Sequence, residues 1–159
     1  FGMIMNLPYN MDQAQWNGRG PVENYSDRKL SQNVGIYKST ADKLFFPYVR
    51  PQETGTMSDL RWWQETDQNG FGFRIESDKL FSASALHYDL LALDEGEEKH
   101  QRHSQSVEKS KYTNMFIDLV QEGVGGVNSW DADGRARKGL RVEYKDYTFE
   151  FSISRKTKY

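Results

Sequence analysis

An all-β fold, an antiparallel β-sandwich with at most one or two short helices, is what this sequence predicts, and three observations predict it. Aromatic residues are abundant, with 9 Tyr, 9 Phe and 4 Trp making 14% of the chain, and large rings suit pleated, half-buried surfaces. Tyr147, Phe149, Phe151 and Ile153 alternate with Thr148, Glu150, Ser152 and Ser154, the period of two that marks a half-buried antiparallel strand. Short strand-like runs recur between turn signals, with one helical run among them.

The 159 residues suit one domain, 1–159, and no composition shift or repeat divides them. The chain enters directly on a strand-like run without an initiator Met, which predicts a fragment of a longer polypeptide. Gly2 to Leu7 reads as a strand that Pro8 ends, because proline cannot donate to a ladder. Asp12 to Arg28 reads as an ordered loop, since Gly18, Gly20 and Pro21 dictate a turn. Val34 to Tyr37 is a short strand, and Ser39 to Leu44 holds one helical turn capped by Ser39 or Thr40. Phe45 to Gly55 is extended chain leading to a turn. Asp59 to Glu65 and Phe71 to Glu76 form a hairpin about the Asn-Gly signal in Asp67 to Gly70. Leu80 to Ala85 is another strand, and Leu86 to Asp94 is the best helix candidate, with Leu86, Leu90 and Leu93 on one face. Glu95 to Lys109 is a polar surface connection. Asn114 to Gln121 is a strand that runs into Gly123-Val124-Gly125-Gly126-Val127-Asn128-Ser129-Trp130.

Composition narrows the function. Lys and Arg number 21 against 23 Asp and Glu, a net charge of −2 without charge blocks. Nothing there points to nucleic acid or to an anionic membrane surface, and no apolar run approaches the roughly 18–20 residues that cross a bilayer. With no cysteine, disulfides and thiolate metal sites are excluded, and the compartment stays open between cytoplasm and periplasm.

Several groups are candidates for chemistry. Glu23 and Asp27 form either a catalytic carboxylate pair or, with the neighbouring arginines, a loop brace. His100 and His103 have a spacing usable by two metal ligands on a helix, but no third ligand is near, so they read as solvated. His87 reads as a satisfied core histidine rather than a base. The stretch ending in Trp130 is the most informative. Gly123, Gly125 and Gly126 open the backbone to φ > 0, and a large indole follows. The glycine spacing does not match a phosphate-binding loop, and no helix follows to receive an anion. Two readings remain level on the residues alone: a structural turn whose Trp130 packs on its own sandwich, or a ligand-facing turn whose indole stacks on a sugar, a contact of about 1 kcal/mol.

Motifs in order along the chain separate the two. Trp16-x-Gly18-x-Gly20-Pro21-x-Glu23-Asn24-Tyr25-x-Asp27-Arg28 resembles the signature loop of the C-terminal domain of β-galactosidases in glycoside hydrolase family 2. Pro47-Tyr48-Val49-x-Pro51-Gln52-Glu53-x-Gly55 and Asp59-x-Arg61-Trp62 match that domain's next segment, Phe81 to His87 and the region around His100 follow in order, and Gly123-Val124-Gly125-Gly126 with Ser129-Trp130 matches its glycine turn. The resemblance implies a galactose-mutarotase-like sandwich, of which this chain is the C-terminal part, beside a catalytic (β/α)₈ barrel of the same polypeptide. The barrel would carry the acid/base and nucleophile glutamates of a retaining mechanism and, with other domains, the Mg²⁺ and Na⁺ ligands. No catalytic residue, metal ligand or cofactor is implied for this chain.

Trp130 is implied to be substrate-binding, an aromatic platform for a β-galactoside such as lactose, supported by Gly123, Gly125, Gly126, Asn128 and Ser129. The full-length enzyme is implied to be a homo-oligomer, and the fragment alone inactive. Val127-Asn128 stand where family members commonly have two aspartates, which predicts altered loop bracing or aglycone preference. Two other functions fit the residues: a carbohydrate-binding module using Trp130 with Trp62 or Trp63, and a sugar epimerase pairing His87 with a glutamate such as Glu53.

Overall fold

The computed structural model describes residues 1–94, 102–128 and 134–157. Seven strands form one antiparallel sheet: β1 (Gly2–Pro8), β2 (Gln13–Gly20), β3 (Asn33–Thr40), β4 (Met57–Thr66), β5 (Gly72–Leu86), β6 (Tyr112–Asp118) and β7 (Ser152–Lys156). Their order is β1-β6-β5-β4-β2-β3, with β7 also on β5. Two four-residue helices, α1 (Ala41–Leu44) and α2 (Leu90–Leu93), and a 3₁₀ turn at Ser104–Ser106 complete the described elements. The all-β antiparallel architecture with two short helices is the one expected, and one large sheet is consistent with part of a sandwich. No helix among the described residues is long and apolar enough to cross a membrane.

Strand β5 organises the sheet. One of its edges pairs with β4; the other is shared by β7, against Gly72 to Glu76, and β6, against Ser82 to Leu86. The two strands expected over this stretch are one 15-residue strand, because the polar residues between them stay extended. The hairpin into β5 forms as predicted: the Asp67 carboxylate accepts from the backbone N–H groups of Asn69 (2.8 Å) and Phe71 (3.0 Å), and Gly70 supplies the left-handed residue at φ +83°. Thr40 caps α1 by accepting from Lys43 N–H at 3.3 Å, also as predicted.

Three expectations need correction. Gln13 to Gly20 is a strand, not a loop. Its Ala14, Trp16, Gly18 and Gly20 are buried, while Gln13, Gln15, Asn17 and Arg19 alternate on the other face. Gly18 and Gly20 serve close packing: a Cβ on Gly18 would lie 2.5 Å from Leu60 Cδ2, and one on Gly20 2.8 Å from Tyr37 Cδ2. The chain turns only at Pro21, after a cis Gly20–Pro21 bond. The helix expected over Leu86 to Asp94 shrinks to α2, because β5 extends to Leu86, which pairs with Asn114. The C-terminal strand begins at Ser152 rather than Tyr147. Upstream of it the chain is held by Ser77 Oγ donating to the Glu150 carbonyl (2.8 Å) and Lys79 Nζ to the Thr148 carbonyl (3.1 Å). Phe149 and Phe151 still pack on the core, as their alternation foretold.

The core lies on one face of the sheet. Trp16 and Trp63 are fully buried and stack with centroids 5.3 Å apart; Leu60, Ile75, Phe81, Met115 and Ile117 close around the same layer. Inside it sits a carboxyl group: Glu65 is completely buried and accepts from Trp63 Nε1 at 2.8 Å.

Candidate functional site

The site is built from two segments far apart in the chain, the loop after β2 and the glycine turn after β6. The loop is held from several sides. Asn24, fully buried, accepts through Oδ1 from Ser58 N–H (3.1 Å) and Ser58 Oγ (2.5 Å) and donates through Nδ2 to the Val22 carbonyl (3.0 Å). Its own N–H donates to the Thr56 carbonyl at 2.8 Å. An amide that uses both ends in this way fixes the loop on the start of β4.

Glu23 does the same for the next segment. One carboxylate oxygen takes Arg28 Nη2 at 2.5 Å and the Tyr48 hydroxyl; the other accepts from Gly55 N–H (2.7 Å) and Thr54 Oγ1 (3.2 Å). With its lone pairs engaged by Tyr48, Thr54, Gly55 and Arg28, Glu23 braces a loop, which resolves the choice left open for it. Tyr25 is buried beside it, its hydroxyl 3.4 Å from Glu53 Oε1. Burial, reinforced by Glu53 and Glu23, pushes the phenol above its ordinary range, and burial likewise raises the Glu53 carboxyl.

Asp27 leaves the loop and meets the glycine turn. Its Oδ2 accepts from the Gly125 N–H at 2.7 Å, across 98 residues of sequence. The same oxygen would lie 2.6 Å from a Cβ on Gly123 and 3.2 Å from one on Gly125. Gly123 N–H donates to the Leu140 carbonyl at 2.8 Å, which closes the other side of the turn. The left-handed glycines of the described residues are Gly55, Gly70 and Gly139. Gly123 and Gly125 are therefore small because a carboxylate approaches their backbone, not because the turn needs φ > 0, which corrects the expectation for them. Gly126 is exposed and Asn128 half-buried. Ser129 and Trp130 lie outside the described residues. Beside the turn a cleft of about 180 Å³ joins Ser26, Lys29 and Asp59 to residues 119–121, so the loop and the approach to the turn share one wall.

The remaining candidates separate. His87 is buried, with Nδ1 2.8 Å from Asp42 Oδ1, Nε2 3.1 Å from the Tyr9 carbonyl oxygen, and the Tyr9 ring stacked on it at 3.8 Å. It is the satisfied core histidine expected. Glu53 is engaged by Thr56 Oγ1 (2.7 Å) and Tyr25, so His87 and Glu53 have separate partners and do not form an acid–base pair. Trp63 is buried in the core and cannot serve as a platform; Trp62 is half-buried, with the Arg74 guanidinium 4.1 Å over its ring. His103 is exposed, with Nδ1 3.2 Å from the Val49 carbonyl oxygen, and His100 lies outside the described residues. Among the described residues, no three His, Asp or Glu side chains are grouped to hold a metal ion.

Comparison with known proteins gives the family of the chain. The family model "Beta galactosidase small chain" matches residues 1–153. A beta-galactosidase of Priestia megaterium is 32% identical over 152 residues, covering 96% of this chain and 14% of the relative. Beta-galactosidase BgaC of Bifidobacterium adolescentis is 34% identical over 133 residues, 82% of this chain and 12% of its own length. A beta-galactosidase of Lactobacillus delbrueckii subsp. bulgaricus is 35% identical over 131 residues, again 82% and 12%. The chain thus spans about one seventh or less of the curated relatives it matches.

Proposed function

Since the chain belongs to the β-galactosidase small-chain family, we propose that it is the C-terminal part of a retaining β-galactosidase and completes an active site whose acid/base and nucleophile lie on a neighbouring barrel domain. The observation that carries this reading is the continuous match over residues 1–153 in a chain that covers so small a share of its relatives.

In this reading the chain supplies binding rather than bond-breaking. The glycine turn presents Trp130 at the mouth of the barrel, where an indole face can stack on the C–H face of a galactoside. Binding energy gained there orients the glycoside for the two carboxyl groups that cleave it. The turn can do this only if its backbone is held still, and the carboxylate of Asp27 on Gly125 N–H supports that. In this reading the Mg²⁺ and Na⁺ of the whole enzyme are held by other domains, and no step here runs through them. Val127 and Asn128, in place of a pair of aspartates, leave the turn without two negative charges, so an altered aglycone preference is part of the proposal.

The separation of binding from chemistry gives a direct test. The isolated chain, assayed with a chromogenic β-galactoside, is expected to show no turnover above buffer. Turnover that follows the chain through purification would contradict the reading, and saturable galactose binding by the isolated chain would favour a self-sufficient carbohydrate-binding module instead.

A further inference from the structure

We propose that the outer face of the sheet around Trp62 and Arg74 is a binding surface for a neutral glycan chain laid across the strands. This surface uses no residue of the glycine turn and stands or falls without the role proposed for Trp130.

Pairing in the sheet draws polar side chains into rows. Trp16, Trp63 and Ile75 lie opposite one another and are buried in the core, so the residues flanking them in sequence share the other face. There Lys38, Gln15, Gln64, Arg74 and Ser154 are successive cross-strand partners, from β3 through β2, β4 and β5 to β7. Beside them Asn17, Trp62, Glu76 and Ser152 make a second row. Neighbouring strands are about 4.8 Å apart, so the longer row reaches roughly 19 Å, a length suited to a run of sugar units rather than to one. The residues of both rows are half-buried or exposed.

The rows carry the groups that read hydroxyls. Gln15, Asn17 and Gln64 end in amides, which donate and accept at once, as every sugar hydroxyl does. Arg74 and Glu76 set a donor beside an acceptor, Nη1 3.5 Å from Oε1. One hydroxyl can accept from the guanidinium while its neighbour donates to the carboxylate.

Arg74 is firmly held yet little used. Its guanidinium carbon lies 4.1 Å over the Trp62 ring, a cation–π contact that fixes the group in place. Its contacts to Glu76 and to Gln64 Oε1 are both 3.5 Å, longer than ordinary N–H···O bonds. Nε is buried and has no partner among the described residues. The Nη protons are therefore left for a ligand. Because Arg74 covers one face of the indole, Trp62 acts as the support of the guanidinium and not as a bare stacking platform. Charge selects the class of ligand. Glu76 offsets Arg74 and would repel the carboxylates of an acidic peptide, while the uncharged amides and hydroxyls of the two rows suit a neutral polyhydroxylated chain.

The test uses the intact polypeptide that contains this chain, run in native gels cast with one of three neutral polysaccharides: hydroxyethyl cellulose, a β-1,4-galactan or a mannan. Retardation is expected in at least one of them. Arg74→Ala should weaken it about tenfold, the scale of a lost charged hydrogen bond, and Gln15→Ala about threefold to fivefold, the scale of a neutral one. Both variants should keep the Tm of the parent; where Arg74→Ala lowers it, Gln15→Ala alone decides. Free galactose, a single ring against two rows, is not expected to bind measurably at this face. Unchanged mobility in all three polysaccharides overturns the proposal, as does retardation that the variants leave as it was. Retardation by polyglutamate alone would also overturn it and make the face a surface for acidic peptide. Turnover by the isolated chain is untouched by any of these outcomes, so failure of this surface and failure of the proposed function are told apart.

Discussion

Replacing Trp16 by alanine is expected to destabilise the fold by about 3–5 kcal/mol, the range for a buried aromatic truncated in a core. The indole is fully buried and stacks on Trp63 at 5.3 Å and 12°, with Tyr37 tilted against it at 5.8 Å. It also bonds its own strand's end: Nε1 donates to the Arg19 carbonyl at 3.0 Å. Truncation therefore opens a cavity between β2, β3 and β4 and leaves a carbonyl to find another donor. The sheet cannot collapse into that space, because the backbone positions of Gly18 and Gly20 are already in contact with Leu60 and Tyr37. The denaturation midpoint of the chain measures the effect. A loss below about 1 kcal/mol would mean that the stack is not the centre of the core.

Raising pH from 5 to about 8.5 is expected to weaken the fold through Glu65. Burial, the dominant cause, pushes this carboxyl up to about 8 against an ordinary value of 4.5, with Asp12 adding to it and the Trp63 hydrogen bond opposing it. The folded chain therefore holds a proton that the unfolded chain releases at much lower pH. The contribution is fully present below pH 4.5, is lost as pH rises toward 8, and is absent above that. A shift of this size corresponds to on the order of 4 kcal/mol, or roughly 10 °C in Tm for a chain of this length. Glu53 and Asp118, whose carboxyls burial also raises, add loss of the same sign. Glu65→Gln keeps an acceptor for Trp63 and carries no charge at any pH, so its Tm should fall less steeply over the same interval. Parallel pH profiles for the two proteins would show that Glu65 does not titrate in the fold as described.

Much of this architecture is legible in the residues, and the exceptions share a cause. The turn at Asp67 to Gly70 and the cap at Thr40 are local devices, written in neighbouring side chains, and both are read correctly. The glycines at 18, 20, 123 and 125 are misread because glycine has two uses: it permits left-handed backbone, and it admits a neighbour where a Cβ would stand. Only the first is local. The second depends on Leu60, Tyr37 and Asp27, which pairing brings from elsewhere. The same reason hides the extent of β5: residues 77–79 are polar and fall at the register shift between the Leu60–Phe81 and Trp62–Glu76 pairs, and the segment at 148–150 is hydrogen-bonded beside them.

The candidate site divides in the same way. The loop-bracing role of the signature segment is apparent from its density of Asn, Asp, Glu and Arg, but no spacing rule joins Asp27 to Gly125. Trp62 and Trp63 are adjacent and equally plausible as sugar-facing rings. Strand alternation puts one in the core and leaves the other half-buried on the opposite face, and only the pairing register says which.

The proposed binding role rests on one indole, and the intact enzyme carrying Trp130→Ala tests it most directly. Steady-state hydrolysis of a β-galactoside should show kcat/KM reduced about five- to tenfold, the equivalent of one lost stacking contact, with Tm unchanged. Unaltered kinetics, or a variant whose loss of activity only follows a fall in Tm, would contradict the account and return Trp130 to a structural role.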